Sequence, residues 1–193
     1  MSNRIYIGLL HYPVYNKTGE VAASSITNHD LHDLARLCVT YGLNGYFVVT
    51  PLELQRKLGE RLIAHWVTGP GADYNWTRKE AFKLARMASD LAEVKARIED
   101  ECGKPARLVG TSAKKMEKQV SFGEMRKRLA KETEGVWLII FGTGWGLERG
   151  FMEREFDYLL EPIRGSGDYN HLSVRSAAAI ILDRLFSVDS TDE

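Results

Sequence analysis

The residues best suited to chemistry lie late in the chain. Gly142-Thr143-Gly144-Trp145-Gly146 directly follows the apolar run Val136-Trp137-Leu138-Ile139-Ile140-Phe141. Glycine admits positive φ and lets a ligand or a second backbone approach closely. Glycines at alternate positions therefore suit either a tight structural turn or a loop that holds a ligand by its main chain. The spacing is not that of a Walker loop, since no Gly-Lys-Ser/Thr follows, nor of GxGxxG, since the glycines end at Gly146. A second polar stretch, Glu161-Pro162-Ile163-Arg164-Gly165-Ser166-Gly167-Asp168-Tyr169-Asn170-His171, leads into an apolar helix. Beside the first loop it would grip a ligand through backbone donors and acceptors, with Ile163 and Leu172 covering an aromatic ring. Read more plainly, it is a connector with an Asn170 or Ser173 cap. His11, His29 and His171 can titrate near neutrality, but their spacing forms no metal motif such as HExxH, so no metal is expected. Trp145 and Tyr169 suit stacking on an unpaired base or packing in a core, and Trp66, Tyr74 and Trp76 offer another such platform.

The elements that must carry these loops alternate between strand and helix. Ile5-Tyr6-Ile7-Gly8-Leu9-Leu10 predicts a buried first strand, and residues 11–27 a long loop with a turn near Asn16. Thr27 or Asn28 can cap a helix whose Leu31, Leu34, Ala35, Cys38 and Val39 share one face. Gly45-Tyr46-Phe47-Val48-Val49 supplies a second strand, and Pro51 suits the start of the next helix. One long helix is expected over residues 78–101, and a weaker strand over 107–111. Ser121 and Glu124 form a capping-box pattern, residues 136–141 give the clearest strand, Glu148 begins a helix, and a final helix is expected over 172–185. This order predicts an α/β fold with a mostly parallel sheet covered by helices on both faces. Ligands in such sheets bind at the carboxyl ends of the strands.

With 193 residues, 44% hydrophobic and 27% charged, the chain fits one globular domain over 1–193, with a short disordered tail from about 187. The first ten residues lack a signal-peptide pattern, and no apolar run approaches the roughly 20 residues of a membrane span, so a cytoplasmic location is expected. Cys38 and Cys102 are expected to be free thiols. A net charge of zero conceals an uneven distribution: residues 104–131 hold nine basic side chains against two acidic ones, and from Glu148 onward ten acids face five arginines. The basic run suits either phosphates or an ordinary solvated face.

Leu138-Ile139-Ile140-Phe141-Gly142-Thr143-Gly144-Trp145-Gly146-Leu147 and Asn170-His171-Leu172-Ser173-Val174-Arg175-Ser176-Ala177-Ala178-Ala179-Ile180 resemble the second and third motifs of the SPOUT superfamily. These are α/β-knot RNA methyltransferases that use S-adenosylmethionine. Across about residues 4–186, including His11-Tyr12-Pro13-Val14-Tyr15-Asn16 and Tyr74-Asn75-Trp76-Thr77-Arg78-Lys79-Glu80-Ala81, the chain is similar to a small bacterial branch of such enzymes.

The resemblance implies a homodimer with a deep C-terminal trefoil knot, and structured RNA, tRNA or rRNA, as partner. It places Gly142, Thr143, Gly144 and Gly146 around the methionine and ribose portions of the cofactor. Ile163, Gly165, Asn170, Leu172 and Ser173 would enclose adenine and ribose, and Thr50, Pro51 and Leu52 match another strand-end loop. The NxGAIxR motif of the related ribose methyltransferases corresponds to Asp30-Leu31-His32-Asp33-Leu34-Ala35-Arg36, keeping Arg36 and replacing asparagine by Asp30. LNVSxA corresponds to residues 172–177, with Ser173 replacing another asparagine. A base nitrogen and a ribose 2′-oxygen thus both stay open as acceptors. Where the acceptor carries a proton, a carboxylate can remove it, which makes Asp30 the first candidate base and Asp168 the second, while the planar fork of Arg36 would orient phosphate or acceptor. A non-catalytic RNA-binding knot protein is the other reading of the same features.

Overall fold

The computed structural model describes residues 3–167 and 169–188. Asp168 lies outside them, as do residues 189–193 of the expected tail.

The chain begins β1 (Arg4–Leu10), β2 (Val14–Tyr15), β3 (Val21–Ala22), α1 (Asn28–Thr40), β4 (Gly45–Val49) and α2 (Glu53–Val67). There follow α3 (Pro70–Tyr74), α4 (Trp76–Phe82), β5 (Ala85–Ala88), α5 (Leu91–Cys102) and β6 (Arg107–Gly110). The last part holds β7 (Gln119–Val120), α6 (Phe122–Lys131), β8 (Val136–Gly142), α7 (Arg149–Glu155), β9 (Tyr158–Leu160) and α8 (Val174–Phe186). Seven strands form one sheet in the order β5-β4-β1-β8-β6-β9-β7, every pairing parallel, while β2 and β3 make a separate antiparallel hairpin.

Strands covered on both faces need apolar side chains in both directions, and β8 at the centre supplies them. Trp137, Ile139 and Phe141 enter one core with α1, α6 and α8, and Val136, Leu138 and Ile140 enter the other with α5 and α7. β1 divides likewise, Ile5, Ile7 and Leu9 against Tyr6 and Leu10. The expected α/β architecture is thus present.

The helix expected over 78–101 is instead α4, β5 and α5. Ala85-Arg86-Met87-Ala88 has helix-forming composition, yet it pairs with β4 from Tyr46 to Val49 as the edge of the sheet. Tertiary pairing overrides local propensity there. Asp90 accepts from the Glu93 N–H at 2.8 Å and so starts α5. Pro51 precedes its helix, since Leu52 is the N-cap of α2. Cys38 and Cys102 are free thiols, and among the described residues no helix is long and apolar enough to cross a membrane.

Candidate active site

Parallel pairing brings the carboxyl ends of neighbouring strands to one rim. β8, β6 and β9 are adjacent, so the segments leaving Gly142, Gly110 and Leu160 emerge side by side, and Leu10 of β1 pairs with Gly142. Between them lies a cavity of about 1220 Å³, walled by residues 111–116, 141–147 and 170–174 and flanked by the β2–β3 hairpin. That exceeds the roughly 300–1,000 Å³ of common small-molecule sites, which leaves room for a ligand and an entering group.

The glycine turn forms one wall, and its own packing demands glycine. Gly144 (φ 57°) and Gly146 (φ 99°) occupy the left-handed region, which costs a residue with a side chain about 1–2 kcal/mol. A Cβ on Gly144 would also lie 2.9 Å from the Tyr15 carbonyl oxygen, and one on Gly142 would lie 2.7 Å from Leu147 Cγ. The hairpin is what crowds Gly144. The Trp145 N–H donates to the Tyr15 carbonyl at 3.0 Å, and the Tyr15 N–H donates to the Gly146 carbonyl at 2.8 Å. The turn is therefore both a braced structural turn and a cavity wall.

The opposite wall is lighter. Asn170 Nδ2 donates to the Ala113 carbonyl at 3.0 Å, joining the two loops that leave β9 and β6. Ser173 caps α8 by accepting from the Ser176 N–H at 3.3 Å. Lys114 Nζ stands 5.7 Å from the centre of the Tyr15 ring, across the cavity mouth. Trp145 is 56% exposed beside that mouth, while Tyr169, 80% exposed, meets His171 edge-on.

Among the described residues, three polar side chains are buried: His11, Asp30 and Thr50. Asp30 lines the cavity, and Arg175 Nη1 lies 3.3 Å from its Oδ1. The same guanidinium reaches Asp33, with Nε 3.4 Å from Oδ2, so α8 is clipped to α1 beneath the cavity. Thr27 caps α1, accepting from the Asp30 N–H at 3.1 Å, so the Asp30 carboxylate is not used as the cap. His11 Nδ1 meets Ser24 Oγ at 2.9 Å, and burial pushes its pKa down from 6.5 to about 4 against the opposing pull of Asp30.

Of the residues expected at the site, Asp30, Gly142, Thr143, Gly144, Gly146, Ile163, Asn170, Leu172 and Ser173 come together around the cavity. Arg36 does not. It follows Asp30 by six helical positions, about 9 Å along the axis and about 240° around it, and is exposed. Thr50, Pro51 and Leu52 also lie apart, because β1 separates β4 from β8, a displacement of roughly 10 Å. Thr50 is spent on local structure, its carbonyl accepting from Arg56 at 2.9 Å and its hydroxyl from the Leu52 N–H at 3.3 Å. Gly165 is exposed and outside the cavity wall, and Asp168 is outside the described residues.

Sequence reasoning missed Ser24, residues 111–116, the hairpin residues Tyr15 to Lys17, and Arg175. Thr111-Ser112 after a weak strand was the readable signal for the second. Nothing local marks Arg175, whose partners lie 145 and 142 positions earlier (175 − 30 and 175 − 33). The basic run also proves not to be one patch. Arg107 opens β6 at the end of the strand away from the cavity, Lys114 and Lys115 line the cavity, and Arg126 to Lys131 belong to α6.

S-adenosylmethionine presents an adenine ring, a ribose diol, an amino-acid end and a sulfonium centre, and the cavity suits these parts. Ile163, Leu172, Ala177 and Ile181 give an apolar face for the ring. The N–H groups of Leu172 and Ser173 have no partner among the described residues, which leaves them as donors at the wall.

The comparisons agree with that fit. The family described as SAM-dependent RNA methyltransferase matches residues 4–187. An uncharacterised protein of Aquifex aeolicus (strain VF5) is 44% identical over 192 residues, covering 100% of this chain and 93% of its own length. A protein of Oleidesulfovibrio alaskensis named tRNA (guanine-N(1)-)-methyltransferase is 42% identical over 181 residues, 94% of this chain, yet the match spans only 41% of that longer relative. In fold, the chain is similar to the SpoU methyltransferase AviRb of Streptomyces viridochromogenes, solved with AdoMet, at a TM-score of 0.58 and 17% identity over 96% of this chain and 58% of that one. With its parallel sheet, its cavity at the strand ends and a family match across nearly its whole length, the chain belongs to the SAM-dependent RNA methyltransferases.

Proposed function

We propose that this protein binds S-adenosylmethionine in the cavity at the ends of β6, β8 and β9, and methylates a nucleotide of structured tRNA in the cytoplasm. The observation that carries the reading is that a cavity lined by backbone and apolar groups opens onto a mouth ringed by aromatic and cationic side chains. Tyr15, Trp145, Lys17, Lys114, Lys115 and Arg149 all line it. Aromatic faces hold unpaired bases, and lysines and arginines meet phosphates. The name of the Oleidesulfovibrio relative supports tRNA as the RNA. Because that relative is more than twice as long, guanine N1 does not carry over with it.

The cofactor supplies an electrophilic methyl group, and the chain's task is to hold an acceptor lone pair in line with it. Gly142, Thr143, Gly144 and Gly146 would form the wall at the reacting end, and Ile163, Asn170, Leu172 and Ser173 the wall at the adenine end. Where the acceptor carries a proton, as a ribose 2′-hydroxyl does, that proton must leave. Asp30 is the carboxylate best placed to take it, since it lines the cavity, and Asp168, outside the described residues, is the second candidate. Arg36 faces outward, so a role at the acceptor calls for a second protomer that lays this face of α1 over the mouth. A homodimer with a C-terminal knot is part of the same reading.

The test is incubation with S-adenosylmethionine carrying an isotopically labelled methyl group and unmodified tRNA, followed by nucleoside mass analysis, which also names the methylated atom. Absence of S-adenosylmethionine binding by the folded protein in calorimetry would sink the assignment. For Arg36→Ala, turnover is expected to fall far more than cofactor affinity, and full turnover would remove Arg36 from the mechanism.

A further inference from the structure

The glycine turn has few side chains to hold it. Three of its five residues have none, and Trp145 is 56% exposed, so Thr143 is its one inward side-chain anchor beside the main-chain bonds to the hairpin. Thr143 Oγ1 donates to the Leu10 carbonyl at 3.1 Å and meets Ser24 Oγ at 2.5 Å. Ser24 Oγ in turn meets His11 Nδ1 at 2.9 Å, and the Ser24 N–H donates to the His11 carbonyl at 2.8 Å.

The direction of each bond follows from counting protons. A hydroxyl has one proton to give. That of Thr143 goes to Leu10, whose carbonyl can only accept, so Thr143 accepts from Ser24. The proton of Ser24 is then committed, so Ser24 accepts from His11, and Nδ1 must carry the ring hydrogen. Nε2 is left as a bare lone pair, buried without a partner among the described residues. Protonating it would place a donor and a charge where nothing receives them, which fits a ring held neutral by burial, with the Asp30 carboxylate as the charged group that opposes this.

We infer that His11, through Ser24 and Thr143, is a positioning residue that fixes the cofactor-facing turn between β8 and α7. The chain of donors ties the ends of β1 and β8 and the segment before α1 at one point of the cavity wall. Preorganising a wall lowers the cost of binding, since less of the loop must be ordered when the ligand arrives. The inference rests on the cofactor occupying this cavity, so its test has one arm that needs no cofactor.

In that arm, long-range proton–nitrogen NMR of the isotopically labelled free protein reads which ring nitrogen of His11 is protonated. Hydrogen on Nδ1 and a bare Nε2 are expected, and hydrogen on Nε2 would overturn the relay whether or not the cofactor is placed correctly. In the second arm, calorimetry gives S-adenosylmethionine affinity for His11→Asn, His11→Leu and Ser24→Ala. Asparagine keeps a donor near the Nδ1 position, so His11→Asn is expected within about threefold of wild type. His11→Leu and Ser24→Ala, which break the chain, are each expected to weaken binding by about tenfold. Equal loss in His11→Asn and His11→Leu would mean that the ring matters only for packing. Should His11→Leu fail to fold, Ser24→Ala decides alone, and wild-type affinity in that variant would overturn the inference.

Discussion

The two walls of the cavity are built differently. The wall at residues 142–146 is braced from three directions: by main-chain bonds to the β2–β3 hairpin, by Thr143 on β1, and by the packing of Leu147 against Gly142. The described residues of the wall at 163–173 are mostly exposed, and among them a single side-chain bond, from Asn170 to the Ala113 carbonyl, ties the wall to the neighbouring loop. Braced backbone is rigid before a ligand arrives, while a lightly bonded segment opens at low cost. In the proposed function the glycine turn would therefore serve as the template, and the rim loop as the part that adapts to the cofactor.

Breaking the template should have the largest effect. Gly144→Val meets both a positive φ and the Tyr15 carbonyl, so S-adenosylmethionine affinity is expected to fall at least about 100-fold, close to 2.7 kcal/mol, by calorimetry. The cause is loss of the hairpin contact, so near-ultraviolet circular dichroism of the free variant should change as well. Cofactor affinity lost with an unchanged spectrum would instead place the ligand itself against Gly144.

Acid offers a milder way to unsettle the braced wall. The unfolded chain takes a proton on His11 near pH 6.5, whereas the folded one resists until about pH 4. Folding stability from this group is therefore complete above pH 6.5 and lost as pH falls toward 4, amounting to at most about 3 kcal/mol. Denaturant titration across that range should show a slope for wild type that is reduced in His11→Asn. Equal slopes would mean that the ring is not held neutral.

Arg175 sits beneath both walls. Arg175→Ala leaves the buried Asp30 carboxylate without its cation and is expected to cost about 1–3 kcal/mol in urea unfolding. A change within 0.5 kcal/mol, to order of magnitude, would reduce the contact to a surface pair. The smallest effect belongs to the light wall. Asn170→Ala is expected to weaken cofactor binding about three- to fivefold and to speed proteolysis in residues 161–173, while Gly165→Ala, with open space around it, should leave both unchanged. Equal sensitivity at Asn170 and Gly144 would erase the distinction between the walls.

Much of this was legible in the residues. The apolar run 136–141 read as the central buried strand because it had to face two cores. Thr27, Ser121 and Glu148 marked helix starts through their own side chains, and each proves to be the N-cap of its helix. β5 was not legible, because Ala85-Arg86-Met87-Ala88 carries no alternating pattern and becomes a strand only beside β4. Thr50 to Leu52 were expected at the cavity because the family resemblance matched them to a strand-end loop; they do leave a strand end, but the order of strands across the sheet sets them apart from the cavity.

The sequence alone determined what is local: which runs are apolar on both sides, where helices begin, and that Gly142, Gly144 and Gly146 sit at the end of a buried strand. Tertiary structure decided what those glycines are for, since only the folded chain brings the Tyr15 carbonyl within 2.9 Å of the Gly144 Cβ position. It also decided which polar residues meet. Arg175 reaches Asp30, and His11 reaches Thr143 through Ser24, across separations for which no periodicity in the chain can code. A side chain's partner over such distances is set by strand order and helix packing, and these are minimised for the whole chain at once.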